Sequence, residues 1–378
     1  MNMKYLNRLA GFISVVLLWC SCSEGQDRPD ALPDLQTMAG QMVMVGFNGF
    51  EISDTSHVTR DITQYHAGGV ILFDYHVPGS SPNRNIDSPP QLRKLIADLQ
   101  GLSEIPLFIA VDQEGGRVAR LKPARGFPEH RSAEYLGGLN NPDSTRHYAS
   151  DMAGTLSDLG FNVNFAPVVD INLNPENPVI GKIGRSFSDS PEVVVQQASI
   201  FLEEFNSEGV LGVLKHFPGH GSAWNDSHLG MADVTDTWRE SELEPYAGLT
   251  DSNLDFAVMT AHVFNSRLDP DWPATLSEEI QTGILRERFG YDGVLFSDDM
   301  QMEAIRSFYG LRESIARAVQ AGVDVVVFAN NSVYDPDVVP KVIDIIVSLV
   351  EEGTLTEERI AESYNRIMNQ KRELGLIE

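Results

Sequence analysis

The sequence predicts an α/β protein built as a single-domain (β/α)8 barrel of the TIM type, and three observations support this prediction. Eight short apolar segments occur along the chain, each with the length and composition of a buried strand. Amphipathic helical patterns separate most of these segments. No Gly-rich nucleotide loop, tandem repeat or change of composition interrupts the alternation, which favours a closed barrel over an open doubly wound sheet.

The predicted strands are runs of mainly Val, Ile, Leu, Phe and Met that are bounded by Gly, Pro or polar residues. They are residues 41–47, 69–73, 106–112, 162–167, 210–216, 255–262, 293–299 and 323–330.

Helical patterns fill most of the intervals between these strands, and Gly160, Gly290 and Gly322 stand where three of the helices end. The predicted helices are residues 91–102, 144–159, 191–207, 238–249, 277–289, 311–321, 338–352 and 357–374.

The N-terminal 33 residues are predicted to lie outside the barrel. Lys4 and Arg8 precede an apolar segment, residues 9–19, which has the length of a signal-peptide core and is too short for a stable membrane span. A polar stretch without structure of its own follows. The predicted division is residues 1–21 as a lipoprotein-type signal peptide, 22–33 as a tether, and 34–378 as a catalytic barrel.

Both cysteines of the chain, Cys20 and Cys22, lie at the end of the signal segment. The stretch resembles a bacterial lipoprotein signal, with Cys22 as the lipid-modified residue and Cys20 as the less favoured choice. The resemblance implies an exported protein of the bacterial cell envelope, periplasmic or at the outer membrane, which contacts a membrane only through its lipid anchor. The alternative is an ordinary secretory signal with incidental cysteines.

Composition narrows the function only slightly. A hydrophobic fraction of 42% with 22% charged residues is typical of a soluble globular protein. The net charge of −26 argues against a nucleic-acid partner, because a phosphate backbone requires a basic surface.

Ionisable or amide side chains stand at one end of nearly every predicted strand. They are Asp112, Asp170, Lys215 with His216, His262, Asp298 with Asp299, and Asn330 with Asn331. In a barrel the carboxyl ends of the strands meet on one face, where barrel enzymes bind their substrates. The opposite ends carry mainly Gly and Pro, and this asymmetry indicates an enzyme.

Three histidines within residues 215–228 raise the alternative of a metal site. A His-x-x-x-His spacing places two metal ligands on one face only when the segment is a helix. Pro218, Gly219 and Gly221 disfavour a continuous helix there, so the spacing does not predict a metal site. We therefore expect no metal and no other cofactor. Covalent serine or cysteine chemistry is also disfavoured, because no Gly-x-Ser-x-Gly turn is evident and both cysteines precede the barrel.

Three motifs resemble the β-N-acetylglucosaminidases of glycoside hydrolase family 3. They are VDQEGGR at 111–117, KHFPGHG followed by DSH within 215–228, and FSDDM at 296–300, in the order found in the family. The resemblance covers nearly the whole chain after the tether. It implies a retaining exo-enzyme that removes terminal β-linked N-acetylglucosamine from glycans such as peptidoglycan fragments.

The resemblance also implies residue roles. Asp298 matches the nucleophile, His228 the general acid/base on a mobile loop, and Asp226 the carboxylate partnered with that histidine. The residues that match contacts to N-acetylglucosamine are Asp112, Arg120, Arg185, Lys215 and His216. Glycosidases usually take their proton donor from a second carboxylic acid. A histidine can replace it because an imidazole, with a pKa of about 6.5, exchanges protons near neutrality.

Structural roles are the alternatives for several of these residues. Residues 226–228 could form an ordinary Asp turn, and Arg185 could be a surface ion pair. His262 could be a satisfied barrel histidine as well as a substrate contact. His220 is expected to be structural and to position its loop.

Two other functions stay open at this point. The first is a β-glucosidase or β-xylosidase of the same family, although those enzymes typically take an acid/base glutamate from a second domain. The second is a non-catalytic lipoprotein that binds glycans. Peptidoglycan fragments, chitooligosaccharides and host glycans are all candidate substrates at this point, with either water or phosphate as the acceptor of the sugar.

Overall fold

The computed structural model describes residues 32–77, 79–81, 83–331 and 333–378. Residues Pro33–Glu378 form one compact unit. The predicted signal peptide, Cys22 and most of the tether lie outside the described residues, so these assignments stay predictions. Within the described part of the chain, no helix is both long and apolar enough to cross a membrane.

Eight parallel strands close into a barrel, which confirms the predicted fold class. The strands are β1 (Val43–Gly46), β2 (Gly69–Ile71), β3 (Phe108–Val111), β4 (Val163–Asn164), β5 (Leu211–Phe217), β6 (Phe256–Thr260), β7 (Leu295–Asp299) and β8 (Val325–Phe328). Closure comes from β1 and β8, which pair from Val43 opposite Val326 to Val45 opposite Phe328.

The strands are apolar because both of their faces are covered. Every residue of β3 and β5 is buried, as expected for parallel strands with side chains inside the barrel and helices outside it. Phe296 fills the barrel interior, with its ring centroid 6.0 Å from that of Phe108 and 5.5 Å from that of Phe165. The barrel interior is therefore a packed core, as in other barrels of this type, and a ligand site is expected at its carboxyl-terminal end.

Helices surround the barrel. They are α1 (Leu35–Gln41), α2 (His57–Thr63), α3 (Pro89–Leu102), α4 (Ala133–Leu139), α5 (Pro142–Leu159), α6 (Pro191–Ser207), α7 (Glu244–Thr250), α8 (Glu303–Arg306), α9 (Leu311–Ala321), α10 (Val338–Glu351) and α11 (Glu357–Glu373), with a π-helix at Glu279–Arg288. Ser190 caps α6, since its side chain accepts a hydrogen bond from the backbone N–H of Val193.

The structure differs from the sequence prediction at several elements. The predicted first strand includes Gln41, which instead ends α1, a helix capped by the carboxylate of Asp34. The predicted fourth strand is shortened to two residues. Its Asn164 side chain takes over backbone pairing, because it accepts from the N–H of Gln113 and donates to the carbonyl of the same residue. The predicted helix 277–289 is a π-helix, which an amphipathic pattern alone does not distinguish from an α-helix.

Lys371 of α11 closes the amino-terminal end of the barrel. It is 0% exposed, and its Nζ lies 2.7 Å from Oε1 of Gln41, 3.2 Å from the carbonyl oxygen of Gly68 and 4.9 Å from the ring centroid of Phe108. Burial lowers the pKa of Lys371 to about 7. The amine of Lys371 thus joins the C-terminal helix to the residues that precede β1 and β2. Protonating this amine is unfavourable in the folded state.

We predict that Lys371 makes stability depend on pH in the alkaline range. Its pKa is about 7 in the folded protein and about 10.4 when unfolded, so the unfolded state binds more protons between these values. The unfolding free energy of the native protein should rise with pH across this window, by at most about 1.4 kcal/mol per pH unit. Lys371→Met should lack this rise, whereas replacing the exposed Lys94 by Met should preserve it. Urea denaturation at a series of pH values between about 7 and 10.4 measures the unfolding free energy. Parallel plots of this free energy against pH for the native protein and Lys371→Met would contradict the prediction.

Candidate active site

A polar pocket opens at the carboxyl ends of the strands, on the face where the sequence predicts the site. Its charged and polar lining includes Asp112, Glu114, Arg120, Arg185, Lys215, His216, His220, Ser227, His228, Asp298 and Asp299. All residues predicted to act in catalysis or sugar binding line this pocket except Asp226, which contacts His228.

Charges of alternating sign form the floor of the pocket. The Nζ atom of Lys215 lies 2.8 Å from Oδ1 of Asp112 and 2.7 Å from Oε1 of Glu114. Arg185 holds Glu114 with two hydrogen bonds of 2.7 Å each. Arg120 contacts the other oxygen of Asp112 at 3.3 Å. We call these five side chains the charge ring.

The contacts within the charge ring shift the pKa values of Asp112, Glu114 and Arg185 in favour of their charged forms. Burial alone would raise the pKa of Asp112, but the Lys215 ammonium and the Arg120 guanidinium lower it below its ordinary value. Burial would also raise the pKa of Glu114, but Arg185 and Lys215 lower it to about 2. Burial lowers the pKa of Arg185, and Glu114 more than offsets this by raising it. The pocket floor therefore offers fixed acceptors and donors to the hydroxyl groups of a ligand.

The sequence interpretation missed one member of the charge ring, and the structure excludes the alternative role that it left open for another. Glu114 was not among the predicted site residues, although it stands two residues after Asp112 in the first motif. Arg185 is not a surface ion pair, because only 10% of its side chain is exposed. The motif at 111–117 could have indicated Glu114, because it contains a second carboxylate. The role of that carboxylate becomes visible only when folding brings Arg185 and Lys215 beside it.

Asp170 is a second residue that sequence reasoning left without a role. Its Oδ2 lies 2.7 Å from Nδ1 of His216, and its Oδ1 accepts hydrogen bonds from the backbone N–H groups of His216 and His220 at 3.3 and 2.7 Å. Asp170 is 1% exposed. It therefore fixes the ring of His216, whose Nε2 lies 3.3 Å from Nη2 of Arg185.

The neighbouring carboxylates of Asp298 and Asp299 have different surroundings. Asp299 uses Oδ1 to accept backbone hydrogen bonds from Gln301 and Ala329, both at 3.1 Å. Burial raises the pKa of Asp299 to about 6. For Asp298, burial also acts to raise the pKa, but the histidines nearby, His262 most of all, lower it. Both carboxylates line the pocket, and Asp298 is the more acidic of the two.

His228 and Asp226 form a dyad at the pocket mouth. The Nδ1 atom of His228 lies 2.8 Å from Oδ1 of Asp226, which also accepts from the backbone N–H of His228 at 2.8 Å. The His228 side chain is 56% exposed. The hydrogen bond that His228 donates to Asp226 raises the pKa of His228, and the charge of Asp298 adds to this effect. With Nδ1 held by Asp226, Nε2 is left to exchange a proton with a ligand.

The other two histidines serve the scaffold. His262 is fully buried, with Nδ1 2.8 Å from Oγ1 of Thr275 and Nε2 3.0 Å from the carbonyl oxygen of Asp299. Both of its ring nitrogens therefore have protein partners. His220 is 2% exposed and is held at its backbone by Asp170. Within the described ranges, no group of three or more His, Cys, Asp or Glu side chains is arranged to hold a metal ion.

The fold and the pocket together define a class of enzyme. A (β/α)8 barrel with a polar pocket, an ionised carboxylate and a separate proton donor at the carboxyl ends of its strands has the layout of a glycoside hydrolase. Residues 34–370 match the glycosyl hydrolase family 3 N-terminal domain, and the chain belongs to this family.

Named relatives agree with this assignment. Beta-hexosaminidase A of Pseudoalteromonas piscicida is 35% identical over 335 residues, which cover 83% of this chain and 54% of that protein. Beta-hexosaminidase LpqI of Mycobacterium tuberculosis is 32% identical over 359 residues, which cover 93% of this chain and 86% of that protein. The chain thus spans about half of the first relative and most of the second.

The barrel also superimposes on a solved structure of the family. A glycoside hydrolase family 3 beta-N-acetylglucosaminidase from Paenibacillus matches with a TM-score of 0.83 and 36% sequence identity. The match covers 91% of this chain and 63% of that one.

We predict that Asp226→Asn shifts the alkaline limb of the pH profile of kcat/KM to lower pH. A general acid must be protonated, so activity falls as the pH rises through the pKa of His228. Asp226 raises that pKa, and a neutral asparagine removes most of this effect. Asp236→Asn, which changes a carboxylate that is 91% exposed and paired with Arg267, should leave the profile unchanged. If the alkaline limb of the profile is unshifted in Asp226→Asn, the dyad does not set the pKa of the general acid.

Proposed function

We propose that this protein is a retaining exo-β-N-acetylglucosaminidase, which removes terminal β-linked N-acetylglucosamine from glycans such as peptidoglycan fragments. The observation that carries the proposal is the shared pocket of an ionised carboxylate, Asp298, and a carboxylate-supported histidine, His228. A retaining glycosidase needs a nucleophile and a separate proton donor at the scissile bond. The beta-hexosaminidase and beta-N-acetylglucosaminidase names of the relatives support the choice of sugar.

In the first step, a carboxylate oxygen of Asp298 attacks the anomeric carbon of the terminal sugar. The bond between that carbon and the glycosidic oxygen breaks, and the oxygen takes a proton from Nε2 of His228 as the aglycone leaves. The sugar is then bound to Asp298 as an ester, and His228 is neutral. The negative charge of Asp298 disappears in the same step as the positive charge of His228.

In the second step, His228 acts as the base. It accepts a proton from a water molecule whose oxygen attacks the anomeric carbon, and the ester bond to Asp298 breaks. Two inversions give net retention, and both residues return to their starting charges. Asp226 keeps the imidazole oriented throughout and stabilises its cationic form, as carboxylates do for histidines in hydrolytic triads.

The charge ring supports an exo mode of action. Its side chains are mostly buried, with 3% of Lys215 and 5% of Glu114 exposed. They therefore form a closed floor, whereas His228 lies at the open side. Such a floor suits a sugar at a chain end, which would enter with its non-reducing side towards the charge ring. The aglycone extends past His228 towards solvent.

We further propose that the protein is exported and anchored in the bacterial envelope through Cys22. The basic residues Lys4 and Arg8, the apolar core that follows them and the position of Cys22 support this assignment. Expression of Cys22→Ser should move the protein from the membrane to the soluble fraction while its activity is retained. Cys20→Ser is the control, and equal membrane retention of Cys22→Ser would contradict lipidation at this residue.

We predict that Asp298→Ala lowers turnover of an aryl N-acetyl-β-glucosaminide by at least about 10³-fold, because the covalent intermediate cannot form. Asp299→Asn should lose less than about tenfold, since an amide oxygen can still accept from Gln301 and Ala329. Steady-state kinetics with matched circular dichroism spectra measure both variants. Full activity in Asp298→Ala would overturn the mechanism, and a preference of the native enzyme for the aryl glucoside would overturn the proposed substrate.

A further inference from the structure

Residues 224–230, which we call the acid/base loop, carry both members of the His228–Asp226 dyad. Most of this loop is open to solvent, with Trp224 62% exposed and Leu229 82% exposed. Ser227 is the exception, because it is 2% exposed and lines the pocket. A loop that must place a proton donor accurately therefore has little apolar packing to hold it.

Hydrogen bonds of the acid/base loop are nearly all internal. His228 is bonded to Asp226 through its side chain and its backbone, and the N–H of Leu229 donates to the carbonyl of Asp226. The exception is Ser227, whose Oγ lies 3.2 Å from Nε2 of His220. Among the residues that the structure describes, this is the hydrogen bond that ties the loop to the barrel.

The direction of this hydrogen bond follows from the surroundings of His220. Burial lowers the pKa of His220 to about 4, so its ring is neutral and carries one N–H. Its Nδ1 is buried and has no hydrogen-bond partner in the described part of the chain. A buried N–H without an acceptor is rarer and less favourable than an unused lone pair. The proton therefore belongs on Nε2, which donates to Oγ of Ser227.

His220 is itself a rigid anchor. Its backbone N–H donates to Oδ1 of Asp170, and the other oxygen of Asp170 holds the ring of His216. The same buried carboxylate thus supports a pocket residue on one side and the loop anchor on the other. Gly221, the next residue, packs so closely that an added Cβ would lie 1.8 Å from the carbonyl oxygen of Ile171. The backbone that presents His220 has little freedom to move.

We infer that Ser227 is a positioning residue for proton transfer, acting through its hydrogen bond from His220 to hold His228 at the pocket. Ser227 stands between Asp226 and His228 in the chain. A hydrogen bond that holds the Ser227 hydroxyl therefore also restricts the positions of both residues of the dyad. Loss of the bond would leave the dyad intact but free to move away from the glycosidic oxygen. The inference deepens the proposed glycosidase function and rests on it.

The test uses two substrates that differ in their need for acid assistance. The first is a dinitrophenyl N-acetyl-β-glucosaminide, whose dinitrophenolate group leaves without taking up a proton. The second is the unsubstituted phenyl compound, whose glycosidic oxygen must be protonated before the phenol can leave. General acid catalysis typically contributes about 10²–10⁴-fold. Ser227→Ala should therefore lower kcat/KM for the phenyl substrate by about tenfold or more, with much less effect on the dinitrophenyl substrate.

Two further variants separate positioning from folding. His220→Gln should retain most activity on the phenyl substrate, because the glutamine amide nitrogen can occupy the position of Nε2 and donate to Ser227. Asn225→Ala, an exposed change in the same loop, should behave like the native enzyme on both substrates. Thermal unfolding midpoints of all three variants establish that the barrel is intact.

The outcomes are distinct. A native enzyme that hydrolyses neither substrate would overturn the proposed function itself. With an active native enzyme, an equal loss on both substrates in Ser227→Ala, or no loss on either, would overturn the role of Ser227. A selective loss on the phenyl substrate, with retention in His220→Gln, is the result that the inference requires.

Discussion

Lys215 lies between two carboxylates at the carboxyl end of the barrel, and the pocket is organised around this contact. Removing charges from water is costly, and the cost is recovered only when each buried ion has a close, well-oriented partner. Asp112 and Glu114 satisfy Lys215, while Arg185 and Arg120 satisfy the remaining carboxylate oxygens. Each carboxylate contacts two cations, and Lys215 contacts both carboxylates, so the charge ring holds three separate segments of chain in one geometry.

In the proposed mechanism, this constraint separates binding from chemistry. The charge ring is rigid because its groups are mostly buried and mutually bonded. The dyad of His228 and Asp226 is more exposed and stands on a loop with little packing. Asp298 stands between the two on a barrel strand. A fixed floor can select and orient a terminal sugar, whereas an accessible proton donor can serve both an aglycone and a water molecule in successive steps.

The sequence was sufficient for the fold and for part of the site, for reasons that lie in particular residues. Apolar strand runs and the polar groups at their ends are local signals, so the barrel and the positions of Asp112 and Asp298 could be predicted. The roles of Glu114, Asp170 and Ser227 depend on partners brought together by folding. The contact of Lys215 with Asp112 spans 103 positions and that of His216 with Asp170 spans 46. Burial of these groups has no local signature in the chain.

The central claim is that Asp298, and not its neighbour Asp299, forms the covalent bond to the sugar. The two side chains differ in what they contact: Asp299 accepts two backbone hydrogen bonds, from Gln301 and Ala329, whereas Asp298 accepts one, from the N–H of Asp299. The most direct measurement is to inactivate the enzyme with a 2-fluoro sugar carrying a good leaving group, digest it and locate the label by mass spectrometry. The account predicts a single ester on Asp298. A label on Asp299, or turnover without any trapped intermediate, would contradict it.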